Sequence, residues 1–427
     1  MQRTRRLLPS ECRDRVLLIA PERSYHTGAF IAAAQTLGIR LVVASFGGAC
    51  LAPVEGGLRL PSHSAEAALD LIAQECRRHP YGAILGSDDA TVALAARAAR
   101  DQGLPANGAQ ALKVSVDKLA FRQRCQQQGI RTPRFFVVEP GKTAQQALTG
   151  LPFPCVAKPT GLSASRGVIR CDDRAQLHAA LARIRGLLKT EGKLAGAQIL
   201  VEEYIDGEEF AIEALVREGR VDVLAIFEKP DRLAGPFFEE TIYLTPPRLG
   251  EERVGQITTG LAELCQKLGF FHGPVHAEVR VNADELWFIE IASRTVGGRC
   301  GRLVEFQTGV RLESLVLANA LGLPQSVTQS EDVCGVMMIP VPKGGLLRRV
   351  EGISAARAVT GIVDVEIDAR EGQFLVPWPE GCAYPGFIFS RSHAFHTALA
   401  ALREAHRHLQ FVFAPTFPAQ ISRSTSS

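Results

Sequence analysis

The chain has 427 residues and a formal net charge of +3, and its composition excludes several classes of protein. Hydrophobic residues make up 46% and charged residues 22%, which is typical of a folded globular chain of two to four domains. The 48 basic and 45 acidic side chains nearly balance, so there is no basic footprint for nucleic acid. No apolar run approaches the roughly 20 residues of a membrane-spanning helix and no signal peptide is recognisable, so no membrane partner is predicted. The ten cysteines are scattered without a CxxC pair, which favours buried thiols in a reducing cytosol, and we predict a cytoplasmic protein.

The first hundred residues alternate short apolar runs with helical patterns. The predicted strands are 16–20, 41–45 and 82–86, and the predicted helices are 27–37, 65–78 and 90–102. Gly38 follows the first helical pattern and is a typical helix stop. This alternation predicts a parallel α/β sheet with right-handed crossovers. The first strand ends in Pro21-Glu22-Arg23-Ser24, so the glycine fingerprint of a dinucleotide site is missing from the sequence there.

The central region combines helices with an antiparallel sheet. The predicted helices are 117–128, 174–188, 251–268 and 312–321, and the predicted strands are 135–138, 155–158, 168–171 and several between 199 and 244. Two further strands, 275–281 and 286–291, are predicted to face each other as a hairpin-like unit. Strands that follow one another without helices between them favour antiparallel pairing.

The last hundred residues predict a third, smaller α+β unit. Its strands are 335–341, 363–367, 373–376 and 387–390, followed by a final helix with Phe395, Leu399, Leu402 and Leu409 on one face. The chain therefore divides into three predicted domains, with residues 1–111, 112–322 and 323–427.

Two glutamates of the hairpin-like unit are candidates for binding a cation. Alternation along the strands predicts that Glu278 and Glu290 converge on one face of the sheet. Two adjacent carboxylates repel each other unless a cation lies between them, and Mg²⁺ takes one or two carboxylates together with phosphate oxygens. The alternative is a pair of solvent-exposed strand glutamates, which is a common arrangement.

Residues suited to phosphate follow at four other places. Lys158 lies in an otherwise apolar strand, so a buried amine there needs an anionic partner. The loop of residues 161–167 after it is rich in glycine and serine and is able to direct N–H groups at phosphate. Arg294 precedes glycines that permit close approach of an anion. Each of these residues, and Lys118 at a helix start, also fits an ordinary structural role when taken alone.

The segment Leu200–Phe210 joins two strands through a glycine turn. Such a hinge exposes backbone N–H and C=O groups that can pair with the edge of an adenine. The carboxylate of Glu209 is placed to accept a ribose hydroxyl, and the alternative is an acidic β-turn.

Taken together, these motifs resemble those of the ATP-grasp superfamily. The matching order is Asp117-Lys118, Val156-Ala157-Lys158-Pro159, the glycine and serine loop, Glu202 with Gly207-x-Glu209, and Glu278 and Glu290 with Arg294. The resemblance covers residues 112–322 and is closest to carboxylate–amine ligases of the L-amino acid ligase and carnosine synthase type, with biotin carboxylase more distant. It implies an N-terminal α/β pre-ATP-grasp domain, a central ATP-grasp domain and a C-terminal α+β lid domain.

The resemblance also implies roles for particular residues. ATP would be bound at its phosphates by Lys118, Lys158 and the loop residues Ser163, Ser165 and Gly167, at its adenine by Glu202, Glu203, Tyr204 and Ile205, and at its ribose by Glu209. Glu278 and Glu290 would bind Mg²⁺ or Mn²⁺, and Arg294 would stabilise charge during the reaction. One departure is Ala292, which stands where many members carry a further metal-ligating asparagine.

These roles predict an ATP-dependent ligase that forms an amide bond through an acyl phosphate, releasing ADP and phosphate. Its partners would be a small-molecule carboxylate and an amine, expected to be amino acids, and a homodimer is left open. The alternatives are a ligase for another acceptor (an acyl-carrier thiol, or a purine or carboxylation pathway) and a non-catalytic nucleotide-binding regulator. His276 is a candidate base near the amine or a structural hydrogen-bonding residue, and Glu240 is a further candidate for the nucleotide site.

Overall fold

The N-terminal sheet is parallel, as the sequence predicts. The computed structural model describes residues 14–22, 24–46, 56–62, 64–140, 152–283 and 285–415. The first sheet has the order β3-β2-β1-β4 and consists of β1 (Arg15–Ile19), β2 (Arg40–Ser45), β3 (Gly57–Arg59) and β4 (Ala83–Gly86). The helices that follow β1, β3 and β4 are α1 (His26–Leu37), α2 (Ala65–Arg78) and α3 (Val92–Asp101). Gly38 ends α1 with a φ of 67°, so the helix stop predicted for it is confirmed.

Two helices lead from this sheet into the central region. They are α4 (Ala109–Val116) and α5 (Lys118–Gln127), and Asp117 lies between them. The carboxylate of Asp117 accepts hydrogen bonds from the N–H groups of Leu119 and Ala120, at 3.0 and 3.2 Å. This N-cap fixes where α5 begins and therefore places Lys118 in its first turn.

A four-stranded antiparallel sheet follows. Its order is β5-β8-β6-β7, and its strands are β5 (Phe135–Val138), β6 (Cys155–Pro159), β7 (Ile169–Cys171) and β8 (Ile199–Glu203). Helix α6 (Arg174–Thr190) packs its apolar face on the sheet and buries Leu177, Leu181 and Ile184. Residues 161–167, called the glycine loop below, connect β6 to β7.

An eight-stranded antiparallel sheet forms the largest layer of the molecule. Its order is β13-β12-β9-β10-β11-β14-β18-β16, with β9 (Glu208–Arg217), β10 (Arg220–Lys229), β11 (Ile242–Thr245), β12 (His272–Asn282), β13 (Glu285–Ala292), β14 (Val333–Met338), β16 (Ile362–Ile367) and β18 (Gly386–Ser392). Between and after the strands of this sheet, the chain forms five helices: α7 (Glu251–Leu268), α8 (Gly301–Thr308), α9 (Leu312–Leu321), α10 (Ile353–Arg357) and α11 (Phe395–His408). Because β11 pairs with β14, one sheet continues across residue 322. The division into residues 1–111, 112–322 and 323–427 stays a prediction.

A small sheet completes the C-terminal region. It has the order β17-β15-β19 and consists of β15 (Gly345–Glu351), β17 (Phe374–Leu375) and β19 (Gln410–Phe413). The sequence analysis did not predict β15 or β19. It also placed Leu409 on the face of the last helix, which was wrong, because α11 ends at His408 and Leu409 leads into β19. In the part of the chain covered by the structure, no helix is both long and apolar enough to cross a membrane.

Candidate functional site

A cavity lies between the four-stranded sheet and the face of the eight-stranded sheet formed by β9, β12 and β13. Most of the residues predicted to bind ATP or metal line it. The lining residues are Lys118, Pro133, Val156, Lys158, Ser165, Val168, Glu202, Glu203, Tyr204, Ile205, Glu209, Leu233, Phe238, Glu240, Glu278, Arg280, Ile289 and Glu290. We call it the central cavity. Charged side chains from five strands and from helix α5, distant in sequence, meet in this cavity.

Glu278 and Glu290 are direct cross-strand partners on β12 and β13. Both side chains line the central cavity. The register shifts immediately beside them, between Glu278 and Val279, so that β13 carries one extra residue there. This bulge turns both Ile289 and Glu290 toward the cavity, although neighbouring residues of a regular strand point to opposite faces.

Two lysines accompany this pair of carboxylates. The Nζ atom of Lys118 lies 3.3 Å from Oε2 of Glu290 and donates a hydrogen bond of 2.8 Å to the carbonyl oxygen of Leu162 in the glycine loop. The Nζ atom of Lys229 lies 3.0 Å from Oε1 of Glu278. Lys118 therefore connects the start of α5, the glycine loop and the β13 carboxylate.

Lys229 is a site residue that the sequence analysis missed. It is only 7% exposed, and its Nζ atom also contacts Glu209 and Glu240, each at 2.7 Å. The available signals were the rarity of lysine, since the sequence has nine, and the apolar run of residues 223–227 shortly before Lys229. Oxygen atoms of Glu209, Glu240 and Glu278 lie within 4.8 Å of one another, and Lys229 supplies the positive charge among them.

The pKa values of these groups are set by two opposing effects, burial and the charges of neighbouring side chains. Burial raises the pKa of Glu240 to about 7, against the lowering effect of Lys229. Burial acts in the same sense on Glu278, but the charges of Lys229 and His276 outweigh it and hold its pKa well below the usual range. Burial by itself lowers the pKa of His276, but the carboxylates of Glu213 and Glu278, 3.7 and 3.9 Å from its ring nitrogens, raise it to about 9. His276 is therefore an imidazolium at neutral pH, with no lone pair for accepting a proton.

The ammonium group of Lys158 is part of a buried ion network. Its Nζ atom contacts Glu202, and the same carboxylate accepts hydrogen bonds from Nε and Nη2 of Arg122 at 2.8 and 3.2 Å. Burial alone raises the pKa of Glu202, but Arg122 and Lys158 outweigh it and bring the pKa to about 2. Burial lowers the pKa of Lys158 to about 8, so both groups are charged at pH 7. The Glu202 carboxylate is thus already occupied by protein cations.

Arg122 is a second residue that the sequence analysis missed, and α5 supplies it. Its guanidinium also donates to the carbonyl oxygens of Phe288 and Ile289, at 3.2 and 2.9 Å. Those carbonyls belong to the bulge beside Glu290, so Arg122 stabilises the irregular backbone that presents this glutamate. Arg122 is one of two arginines in α5, and its position in the helix gives no sequence signal for such a role.

The hinge after β8 forms the other end of the cavity. The N–H groups of Glu203 and Tyr204 donate to the carbonyl oxygens of Arg134 and Pro154, at 2.9 and 3.2 Å. Glu209 accepts from Arg280 Nε at 2.7 Å as well as from Lys229. The ring of Tyr204 lies near two guanidinium groups, with Arg280 5.0 Å from its centroid. Ile205 lines the cavity beside Tyr204.

The remaining predicted residues lie outside the central cavity. Ser163 lines an adjoining cavity, which shares Lys118 and Glu290 with the central one and also contains Asp88 and Asp89. Gly167 packs instead against Pro159 and Leu187, and its N–H group donates to the carbonyl oxygen of Pro379 at 2.9 Å. Ser165 is the member of the glycine loop that reaches the central cavity.

Arg294 is held beside the two cavities by the N-terminal unit. Its Nε atom donates to Oδ1 of Asp89 at 2.8 Å, and Nη1 donates to the carbonyl oxygen of Thr295 at 2.9 Å. Asp89 follows β4, at the carboxyl end of the parallel sheet. The Arg294 charge also acts on Tyr25 and His26, and burial, with a smaller effect of Arg294, lowers the pKa of His26 to about 4. No sequence pattern linked Asp89 to Arg294, because 205 positions separate them.

The donor set of Glu278 and Glu290 fits a hard divalent cation. Both groups offer carboxylate oxygens, they lie opposite each other on one sheet face, and each is currently balanced by a lysine ammonium. Ala292 is buried two residues beyond Glu290, where it supplies a methyl group and no further oxygen ligand.

Family models match two parts of the chain. The ATP-grasp domain matches residues 151–302, and the L-amino acid ligase C-terminal domain 2 matches residues 337–414. The two matches lie on the layers that form the central cavity and on the C-terminal strands of the eight-stranded sheet.

Individual relatives agree with these matches. The solved structure of an L-amino acid ligase from Bacillus licheniformis is 28% identical, covers 94% of this chain and 100% of that chain, and has a TM-score of 0.81. Alanine–anticapsin ligase of Bacillus subtilis is 24% identical over 54% of this chain and 52% of the relative. An uncharacterized protein of Sinorhizobium fredii is 24% identical over 74% of this chain and 65% of the relative.

The chain thus spans about half to two thirds of the length of these two curated relatives. The family models and the solved ligase structure confirm the resemblance that the sequence motifs indicate. The chain has the ATP-grasp fold, with an ATP-grasp domain over residues 151–302, and residues 337–414 match the C-terminal domain 2 of L-amino acid ligases.

Proposed function

We propose that this protein is an ATP-dependent carboxylate–amine ligase that joins two small molecules through an amide bond. The observation that carries this proposal is the opposition of Glu278 and Glu290 on one sheet face, in a cavity that Lys118 and Lys158 also line. Paired carboxylates beside lysines are suited to a nucleotide triphosphate with a divalent cation, and a protein that only bound nucleotide would have no need of them.

Within this proposal the residues take separate roles. Lys118, Lys158 and the glycine loop bind the phosphates, and the hinge at Glu203–Ile205 binds the adenine. Since Glu202 is already paired with two cations, we assign it to positioning Lys158 rather than to contacting the base. Glu209 is likewise held by Lys229 and Arg280, so a ribose hydroxyl would join an existing network. Glu278 and Glu290 would hold Mg²⁺ or Mn²⁺, which screens the phosphate charges when bound.

The proposed reaction has two steps. A carboxylate oxygen of the first substrate attacks the γ-phosphorus of ATP, the bond to the β-phosphate bridging oxygen breaks, and ADP leaves. The amine of the second substrate then attacks the acyl carbon, the bond to the phosphate oxygen breaks, and a proton is released. One oxygen of the original carboxylate therefore leaves in the phosphate.

Arg294 is the proposed catalytic residue. Its side chain is anchored through Nε to Asp89, which restricts its rotation before substrates arrive. A fixed guanidinium is suited to stabilising the acyl phosphate and the oxyanion that forms when the amine attacks. His276 is charged at neutral pH and lies between Glu213 and Glu278, so we assign it an electrostatic role and not that of a base.

Amino acids are the proposed substrates, because the L-amino acid ligase domain matches the C-terminal region. Alanine–anticapsin ligase, one of the relatives, is named for an amino acid substrate. The cytoplasmic location stays a prediction, and a homodimer stays open.

Isotope transfer tests the proposal most directly. The protein is incubated with ATP, Mg²⁺ and a mixture of amino acids whose carboxylates carry oxygen-18, and the products are analysed by mass spectrometry. We expect amino-acid-dependent ADP release, a dipeptide mass and one oxygen-18 atom in the released phosphate. ADP release that responds only to a thiol, a purine precursor or bicarbonate would favour another ATP-grasp ligase, and no release with any acceptor would favour a regulator.

A further inference from the structure

A segment of the C-terminal region contacts the glycine loop directly. The indole Nε1 of Trp378 donates to the carbonyl oxygen of Ala164 at 3.0 Å. The carbonyl oxygen of Pro379 accepts from the N–H of Gly167 at 2.9 Å, and that of Glu380 accepts from Nε of Arg166 at 3.2 Å. Residues 378–380 therefore form hydrogen bonds to three of the last four residues of the loop.

The backbone of the loop needs such external contacts. Ala164 and Ser165 have φ values of 56° and 53°, in the left-handed region that side chains with a Cβ disfavour. Inside the loop, Arg166 and Val168 donate to the carbonyl oxygens of Ser163 and Ser165 at 3.3 and 3.2 Å, which are long bonds. A conformation of this kind persists only when its surroundings hold it.

The 378–380 segment is itself firmly held. Trp378 is 5% exposed, and its ring stacks on Tyr384 with centroids 4.8 Å apart. Trp378 also belongs to a small apolar cluster with Val341, Leu347 and Leu375. The carboxylate of Glu380 accepts from Nη2 of Arg183 on α6 at 2.9 Å. The segment is thus a fixed surface against which the loop lies.

The contacts continue from the loop into the central cavity. The carbonyl oxygen of Leu162 accepts from Lys118, whose ammonium lies beside Glu290. Ser165 lines the cavity next to the loop residues that the C-terminal segment holds. A shift of the loop would therefore move two groups assigned to the phosphates, and it would open the cavity to water.

We propose that residues 378–380 are positioning residues for the phosphate site, with Trp378 as the principal one. They hold the glycine loop closed over the cavity, and the loop opens for nucleotide exchange when the Trp378–Ala164 hydrogen bond breaks. This inference rests on the proposed function for its catalytic consequence, but the closure of the loop is testable without turnover.

Limited proteolysis with trypsin measures the closure. The bond after Arg166 lies within the held part of the loop, and the Arg166 side chain is 16% exposed. Trp378→Phe keeps an aromatic ring against Tyr384, removes the N–H donor and places a smaller ring in the apolar cluster. We expect cleavage after Arg166, identified by mass spectrometry of the full chain, to become about fivefold faster, the factor expected for one ordinary hydrogen bond. Cleavage at the wild-type rate would overturn the proposal.

A second variant and a matched control distinguish opening of the loop from a general loss of stability. Arg183→Met removes the partner of Glu380 from the surface of α6, and we expect faster cleavage after Arg166 with an unchanged midpoint of thermal unfolding. Glu351→Gln breaks a comparably exposed ion pair with Arg349 on β15, away from the loop, and should leave cleavage unchanged. If Arg183→Met behaves like Glu351→Gln, the segment does not hold the loop.

The catalytic consequence has its own readout. In Trp378→Phe we expect KM for ATP to rise and phosphate to be released in excess of amide product, because an open loop admits water to the acyl phosphate. A merely structural role would leave the ratio of phosphate to amide at the wild-type value. If no amide forms with any variant but cleavage after Arg166 still accelerates, the proposed function fails and the positioning role stands.

Discussion

Two sheets of this molecule are equally buried and differ in what they bury. In β1 of the N-terminal sheet, Val16 to Ile19 are apolar and 0% exposed. In β9 and β12 of the eight-stranded sheet, Glu213 is also 0% exposed, and Arg280 and His276 are 5% and 8% exposed. Burial alone therefore does not separate a structural sheet from a functional one. The kind of side chain that is buried does.

Buried charge on the second sheet is stabilised where opposite charges lie on neighbouring strands. Lys229, Glu209 and Arg280 stand side by side on β10, β9 and β12, in register across the three strands. An ion network of this kind rarely stabilises a fold more than apolar residues of the same volume. Its concentration around one cavity is thus better explained by a charged ligand than by stability.

Arg122→Ala should produce the largest effect, on stability. The variant leaves the Glu202 carboxylate and the bulge carbonyls without their main donor, and breaking such a buried pair typically costs about 3–5 kcal/mol. The free energy of unfolding in urea measures it. Arg97→Ala, which breaks an exposed pair with Glu66 in the N-terminal unit, is the control and should change stability little. If Arg122→Ala and Arg97→Ala lost the same free energy of unfolding, the buried ion network would not differ in its effect on stability from an exposed ion pair.

Glu290→Gln should abolish most of the activity with little effect on folding. The substitution keeps the shape and removes the charge that faces Lys118, and loss of such an electrostatic group costs about 10²–10³ in turnover. ADP release with saturating ATP and Mg²⁺ is the measurement. Glu285→Gln, at the exposed start of the same strand, should keep wild-type turnover. Normal turnover in Glu290→Gln would contradict a role for this glutamate in binding metal.

Arg294→Ala should slow product formation by about 10²-fold while ATP binding survives, because the guanidinium acts on charge that develops during the reaction. Single-turnover amide formation and equilibrium nucleotide binding separate the two effects. Arg311→Ala, which loses an exposed pair with Glu305, is the matched control. If Arg294→Ala also lost ATP affinity to the same extent, the role of Arg294 would be in nucleotide binding and not in the reaction.

His26, at the start of α1, should make the free energy of unfolding depend on pH. Its pKa is about 4 in the folded protein against 6.5 unfolded, so the unfolded chain binds more protons between those values and stability falls as pH falls from 6.5 to 4. We expect a loss of about 2 kcal/mol between pH 7 and pH 5, most of it removed by His26→Gln. Urea unfolding at the two pH values checks this. His178→Gln, an exposed histidine, should keep the wild-type dependence.

Local patterns were enough for most of the helices and strands and for most of the candidate site, but not for β15 and β19 or for Arg122 and Lys229. The apolar run at Val16–Ala20 predicted β1, and alternation around Glu278 and Glu290 predicted their hairpin, because both signals come from neighbours in sequence. The ordered set of lysines, glutamates and Arg294 identified the family. The spacing did not find the bulge beside Glu290, because a bulge depends on the register between strands and on Arg122, which lies more than 160 positions away.

The sequence by itself determined most of the strands and helices, most of the charged residues of the candidate site, and the superfamily that their order indicates. Only the tertiary structure decided that β14, β16 and β18 join the central sheet, that Lys229 balances three carboxylates, and that Trp378 reaches the glycine loop. The physical reason is that hydrophobic periodicity is a property of neighbouring residues. The pairing of strands and of buried charges depends instead on which segments, distant in sequence, pack together and exclude water.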